Sequence, residues 1–105
     1  MNVWLDDKRP MPPGYDVHVT KAAHAIKLLR CGLVHMISLD HDLGDERTCG
    51  TGYDVAKEIE ELAHAGKLRP ITIYLHTQNP VGMSNMKAAI ESARLAWEGP
   101  PEETE

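Results

Sequence analysis

The chain has 105 residues, 42% of them hydrophobic and 26% charged, and its 16 acids against 11 bases give a net charge of −5. That length suits one domain with one core, and the acidic balance excludes a protein that coats duplex nucleic acid or anionic lipid through a basic face. No apolar run approaches the ~20 residues of a membrane helix, residues 1–10 carry charges where a signal peptide is apolar, and Cys31 and Cys49 lack disulfide-framework or zinc-type spacing, so reduced thiols in a cytoplasmic protein are expected.

Phe is absent, so the core must be built from Leu, Ile, Val, Met and Ala. Val3, Trp4 and Leu5 form the first short apolar run, which ends in Asp6 and Asp7. Residues 8–15, with three prolines and a glycine, lead to Asp16-Val17-His18-Val19-Thr20, whose alternation suits an edge strand. Thr20 is placed to cap a helix over residues 21–31, where Ala22, Ile26 and Leu29 share a face before Gly32 stops it. Met36, Ile37, Ser38 and Leu39 form the next run, ending in Asp40, His41 and Asp42, and Asp42-Leu43-Gly44-Asp45 has turn chemistry. Thr51 and Asp54 have the spacing of a capping box. They open a helix with Val55, Ile59, Leu62 and Ala63 on one side, ended by Gly66 and Pro70. Ile71 to Leu75 form the last run and lead into His76, Thr77, Gln78 and Asn79. A third helix starts between Pro80 and Ser84 and carries Met86, Ile90, Ala93 and Trp97 at helical spacing. Residues 1–98 read as one α/β domain, and residues 99–105 as a disordered acidic tail.

Alternating strands and helices imply an open α/β sheet, and short continuous apolar runs suit buried parallel strands. The first two strands are joined without a helix. Parallel crossovers usually take a dozen or more residues, which leaves an antiparallel pair open. Eight extended residues still span roughly 26 Å, enough to recross a short strand, and the parallel arrangement is the one expected.

In a parallel sheet, ligands bind beyond the carboxyl ends of the strands. Three such ends bring Asp6 and Asp7, then Asp40, His41 and Asp42, then His76 and Thr77 to one rim. Four carboxylates gathered there need a cation or protons to relieve their repulsion. Hard oxygen ligands, with positions left for water and phosphate oxygens, describe a Mg²⁺ site, with Mn²⁺ as its substitute. Asp6, Asp7, Asp40 and Asp42 are therefore the candidate metal ligands. Asp40, His41 and His76 are the candidate catalytic groups, the imidazoles serving as general acid or base near neutral pH. Lys8, Arg9 and Arg47 follow the acidic segments, where they can grip a phosphate, and Thr77 and Asn79 can orient it. His18, His24, His35 and His64 read as solvated or locally bonded, and Cys49, with no base beside it in sequence, as inert.

Asp40-x-Asp42 after an apolar strand shares a feature with haloacid-dehalogenase phosphatases. Leu43, however, stands where that family has Thr or Val, and the chain is too short for its later motifs. His18-Val19-Thr20 matches half of the paired motif of two-histidine phosphoesterases, but His76-Thr77-Gln78 lacks the intervening residue of the other half. Asp6-Asp7 ending the first strand and Asp40 ending the third resemble response-regulator receiver domains. The chain is most similar to a divergent branch, the cyclic-phosphate processing receiver domain family. Four blocks carry this resemblance in order: Leu5-Asp6-Asp7-Lys8-Arg9, Ser38-Leu39-Asp40-His41-Asp42-Leu43-Gly44, Thr51-Gly52-Tyr53-Asp54-Val55-Ala56, and His76-Thr77-Gln78-Asn79-Pro80-Val81-Gly82 with Asn85-Met86 behind.

The resemblance implies a trimmed receiver (flavodoxin-like) fold: about four mostly parallel strands in order 2-1-3-4 with three helices, lacking a receiver's first helix and fifth strand. It implies Mg²⁺ held by the acidic pair, and Asp40 as phosphoryl acceptor or further ligand. It also implies a role in processing cyclic phosphates, in the setting of RNA repair. No lysine ends a fifth strand here, which favours a repurposed phosphate site over a signalling receiver. The expected function is a metal-dependent phosphoesterase, a hydrolase acting on a 2′,3′-cyclic phosphate RNA end or a cyclic nucleotide. The alternative is a non-catalytic receiver-like module that is phosphorylated on Asp40 or binds a nucleotide or phosphate. The expected partner is a phosphorylated small molecule or an RNA end, with no membrane and no non-specific duplex binding. The sequence leaves the oligomeric state open.

Overall fold

The alternation of side chains along short strands builds two apolar rows across one sheet. The computed structural model describes residues 1–98, so the tail expected at 99–105 lies outside the described residues. Strands β1 (Asn2–Leu5), β2 (Val17–Val19), β3 (Met36–Leu39) and β4 (Thr72–Leu75) form a four-stranded sheet in the order β2-β1-β3-β4. All three neighbouring pairs are parallel. The register aligns Val17, Val3, Ile37 and Ile73 in one row, and Val19, Leu5, Leu39 and Leu75 in another. Because side chains alternate between faces, both rows lie on the same side.

That side is covered by α1 (Ala22–Arg30), α3 (Gly52–His64) and α4 (Pro80–Glu98). Their buried residues, among them Leu29, Ile59, Met86 and several alanines, join the strand rows in one core cluster. The intervening row, His18, Trp4, Ser38 and Tyr74, faces the other way. Among the described residues, no helix packs there. Trp4 is nevertheless buried, outside the main cluster. The residues after β1 cover it: its Nε1–H donates to Arg9 O at 3.2 Å, and Tyr15 meets its ring edge-on at 5.2 Å. Tyr74, in the same row, remains 54% exposed.

The helix-free crossover is parallel, as expected. Asp16 N–H donates to Asn2 O at 2.8 Å, and the Asn2 side chain donates to Gly14 O at 2.9 Å. Gly14 sits at φ +94°, where a side chain would be strained. The capping box of α3 is complete: Asp54 N–H donates to Thr51 Oγ1, and Thr51 N–H to Asp54 Oδ2. Pro80 occupies the first turn of α4, where its missing N–H costs nothing. Two details differ from the sequence reading. The cap of α1 is Lys21, with no side-chain hydrogen bond, so Thr20 stands one residue too early to reach the orphan amides. A fourth helix, α2 (Glu46–Cys49), follows Asp45, whose side chain accepts from Arg47 N–H at 3.0 Å. One turn is too short to produce a hydrophobic period, and so it reads as loop.

Candidate functional site

The rim at the carboxyl ends of β1, β3 and β4 is organised around Asp6. The chain turns sharply after β1, and Asp6 Oδ1 accepts the N–H groups of Lys8 at 2.7 Å and Arg9 at 2.9 Å. Asp6 Oδ2 accepts from Arg9 Nη1 at 3.0 Å and from His76 Nε2 at 2.9 Å. An ionised carboxylate offers about four lone-pair sites, and here all are taken. Burial of Asp6 pushes its carboxyl up, but the backbone donors of Arg9 and Lys8 and the Arg9 and His76 side chains outweigh it. They hold the pKa at about 2, against an ordinary 3.8.

His76 is fixed from three directions. Its ring stacks on Trp4 with centroids 3.9 Å apart and planes 4° from parallel. Nδ1 meets Ser38 Oγ at 2.7 Å while Nε2 faces Asp6. Burial lowers the His76 pKa, against the pull of Asp6, which favours the neutral ring. The proton order is then Ser38 O–H to Nδ1, and Nε2–H to Asp6. Both nitrogens are committed, which makes His76 a support for Asp6 rather than the free acid or base that the sequence suggested.

Asp40 is brought alongside by the β1–β3 pairing, its N–H donating to Leu5 O at 3.0 Å. Its Oδ1 accepts from His41 N–H at 2.9 Å, and its Oδ2 lies 3.5 Å from Arg9 Nη1. Two glycines let neighbouring segments close on this loop. A Cβ at Gly52 would collide with the Asp40 carbonyl, and one at Gly82 would enter the His41 ring. One oxygen from each of Asp6, Asp7 and Asp40 lies within 4.8 Å of the others. That spacing suits an ion whose oxygen ligands stand roughly 2.0–2.6 Å away. Asp7 Oδ1 is buried and has no hydrogen-bond partner among the described residues, a costly state for a carboxylate unless a cation meets it. The donor set and the orphaned oxygen fit a hard divalent cation.

Asp42 stands apart from this group. It accepts from His41 Nδ1 at 2.8 Å and from Asn79 Nδ2 at 3.3 Å, which turns it along the rim. These bonds, with His41 first, lower its pKa despite some desolvation. Asn79 is divided between two tasks, its Oδ1 accepting Gly82 N–H at 3.0 Å at the start of α4. A cavity of about 550 Å³ opens beside the carboxylates, lined by Asp7, Asp40 and Asp42, by Lys8 and Arg9, and by Thr77, Gln78, Asn79 and Pro80. His41 and His76 do not line it. Arg47, carried by α2, does not reach it either. Ser38, Trp4, Gly52 and Gly82 are structural parts of the site that residue chemistry did not single out. A serine interrupting an apolar strand was the available signal for the first. The glycines carry none without a fold.

One family model, that of the cyclic-phosphate processing receiver domain, matches residues 1–92. The chain belongs to that family. The match spans all four strands and most of α4, and it contains every residue of the rim. No curated protein and no solved structure matches the chain. This receiver domain has the strand order implied by the resemblance and four helices where three were expected. Among the described residues, no helix is long and apolar enough to cross a membrane, and Cys31 and Cys49 are free thiols.

Proposed function

We propose that this receiver domain is a metal-dependent phosphoesterase that processes a cyclic phosphate, at a 2′,3′-cyclic RNA end or in a cyclic nucleotide. The observation that carries this reading is the convergence of Asp6, Asp7 and Asp40 within 4.8 Å beside a cavity to which Lys8, Arg9, Thr77 and Asn79 also contribute. Asp6, Asp7 and Asp40 would hold Mg²⁺ or Mn²⁺, which supplies Lewis acidity and neutralises phosphate charge. Lys8 and Arg9 meet the non-bridging phosphate oxygens. Thr77 Oγ1 accepts Asn79 N–H at 3.1 Å and so keeps its own proton to donate to the phosphate. Water attacks phosphorus as one ring P–O bond breaks, and the leaving alkoxide takes up the proton that the water gives up. Asp42, which lines the cavity and accepts the His41 Nδ1–H, is the group through which His41 would hold or pass that proton.

The test is turnover of a panel of 2′,3′- and 3′,5′-cyclic phosphates with and without Mg²⁺ or Mn²⁺, beside an Asp40→Asn control. Metal-dependent hydrolysis that the control abolishes is expected. Turnover indifferent to Asp40→Asn removes the assignment. A second reading, a non-catalytic module that binds phosphate or is phosphorylated on Asp40, is favoured by one observation: among the described residues, no imidazole lines the cavity. Absence of turnover together with Mg²⁺-dependent uptake of beryllofluoride would select it. Either reading suits a cytoplasmic protein with a phosphorylated small molecule or RNA end as its partner.

A further inference from the structure

Asp6 cannot accept a divalent ion in the arrangement described, because every lone pair it offers is already engaged. Of its four donors, two are backbone N–H groups of the turn after β1. A third, His76, is clamped between Trp4 and Ser38. Only the Arg9 guanidinium is free to leave: its side chain is 41% exposed and lines the cavity. The same Nη1 serves both carboxylates, at 3.0 Å from Asp6 Oδ2 and 3.5 Å from Asp40 Oδ2. Asp7, by contrast, has an oxygen with no partner at all. The three carboxylates are therefore unequal: one vacant oxygen and two groups sharing an internal cation.

We propose that Arg9 is a displaceable counter-cation that couples cation binding to phosphate binding. In the metal-free protein it neutralises Asp6 and Asp40. When a divalent ion enters, the guanidinium gives up both carboxylates and turns into the adjacent cavity to meet phosphate. The Arg9 N–H stays on Asp6 throughout, so the backbone need not move. This inference rests on the cation-site reading above and adds to it an order of events. Displacement makes the first cation bind more weakly than the carboxylates alone would allow. It then presents a planar, always-charged donor to the phosphate. Coupling between two ligands is reciprocal, so phosphate must tighten the cation in turn.

The test is titration of the full chain with Mn²⁺, and with inorganic phosphate in the presence of Mn²⁺, for wild type and Arg9→Gln. Losing a charge-assisted donor that the ion must displace should tighten Mn²⁺ about tenfold, while phosphate weakens by a similar factor. These opposite signs are the signature, since a merely supporting role would weaken both. Arg9→Lys keeps the charge but ends one bond short of the Nη1 that serves both carboxylates, and should tighten Mn²⁺ while losing less phosphate affinity. It serves as the second variant if Arg9→Gln folds poorly. Mn²⁺ binding unchanged or weakened in both variants overturns the exchange. If wild type then binds Mn²⁺ and Asp40→Asn does not, the cation site stands without Arg9 as its gate. Absence of Mn²⁺ binding in wild type and both Arg9 variants overturns the exchange and the cation site together.

Discussion

On the helix side of the sheet, Val3, Ile37 and Ile73 meet side chains that differ little in chemistry, and their positions are set by volume. On the opposite side, Trp4, Ser38 and His76 are joined by one stack and one directed hydrogen bond, and their geometry ends at Asp6. The first side stabilises the fold. The second aims a carboxylate. Non-directional burial leaves latitude for repacking, whereas a chain of donors and acceptors does not. The two sides should therefore respond differently to substitution.

The largest effect belongs to the helix side. Ile37→Ala removes a fully buried side chain and should cost about 2–5 kcal/mol, read as a fall in denaturation midpoint. Mn²⁺ affinity of the folded fraction should stay unchanged, and a parallel loss would break the comparison. Acid comes next. The unfolded chain takes up a proton on Asp6 near pH 3.8 and the folded one only near 2. The stabilisation, about 2 kcal/mol, is therefore complete above that unfolded value and lost as pH falls towards 2. His76, lowered chiefly by burial, adds a slope of the same sign below its ordinary 6.5. Urea unfolding of metal-free protein across this range, with Asp6→Asn as the flattened control, measures both. Ser38→Ala should cost about 1–2 kcal/mol by leaving a ring nitrogen of the partly buried His76 unpaired. It should also weaken Mn²⁺ severalfold, more than the costlier Ile37→Ala, which is the sharpest form of the contrast. Thr51→Ala, which opens the capping box, should lower stability by about 1 kcal/mol with Mn²⁺ affinity intact.

What the sequence revealed follows the same division. Continuous apolar runs exposed β1, β3 and β4, and alternation exposed β2, because burial leaves a period in composition. Thr51 and Asp54 announced α3, since a capping box is local in sequence. The carboxylates at the strand ends were legible because a parallel sheet sends those ends to one rim. Their inequality was not. That Asp6 is saturated, Asp7 vacant and Asp42 drawn off by His41 depends on side chains meeting across distant segments. Arg9 illustrates the limit: its chemistry pointed to phosphate, while its position between two carboxylates emerges only once β1 and β3 pair. Gly52 and Gly82 are silent for a related reason, as a missing side chain matters only where another backbone or ring approaches.

The crossover between β1 and β2 also bears on the order in which the molecule assembles. Asn2 and Asp16, which it joins, are 14 positions apart, whereas Asp6 and His76 are 70 apart. Closing the longer loop costs about 1.4 kcal/mol more in chain entropy, so the proline-bearing crossover and its parallel strand pair can form while β4 is still searching. Asp6 receives its backbone donors early and its imidazole last. A chain emerging or refolding thus holds an incomplete rim until its final strand docks, which ties chemical competence to completion of the whole sheet.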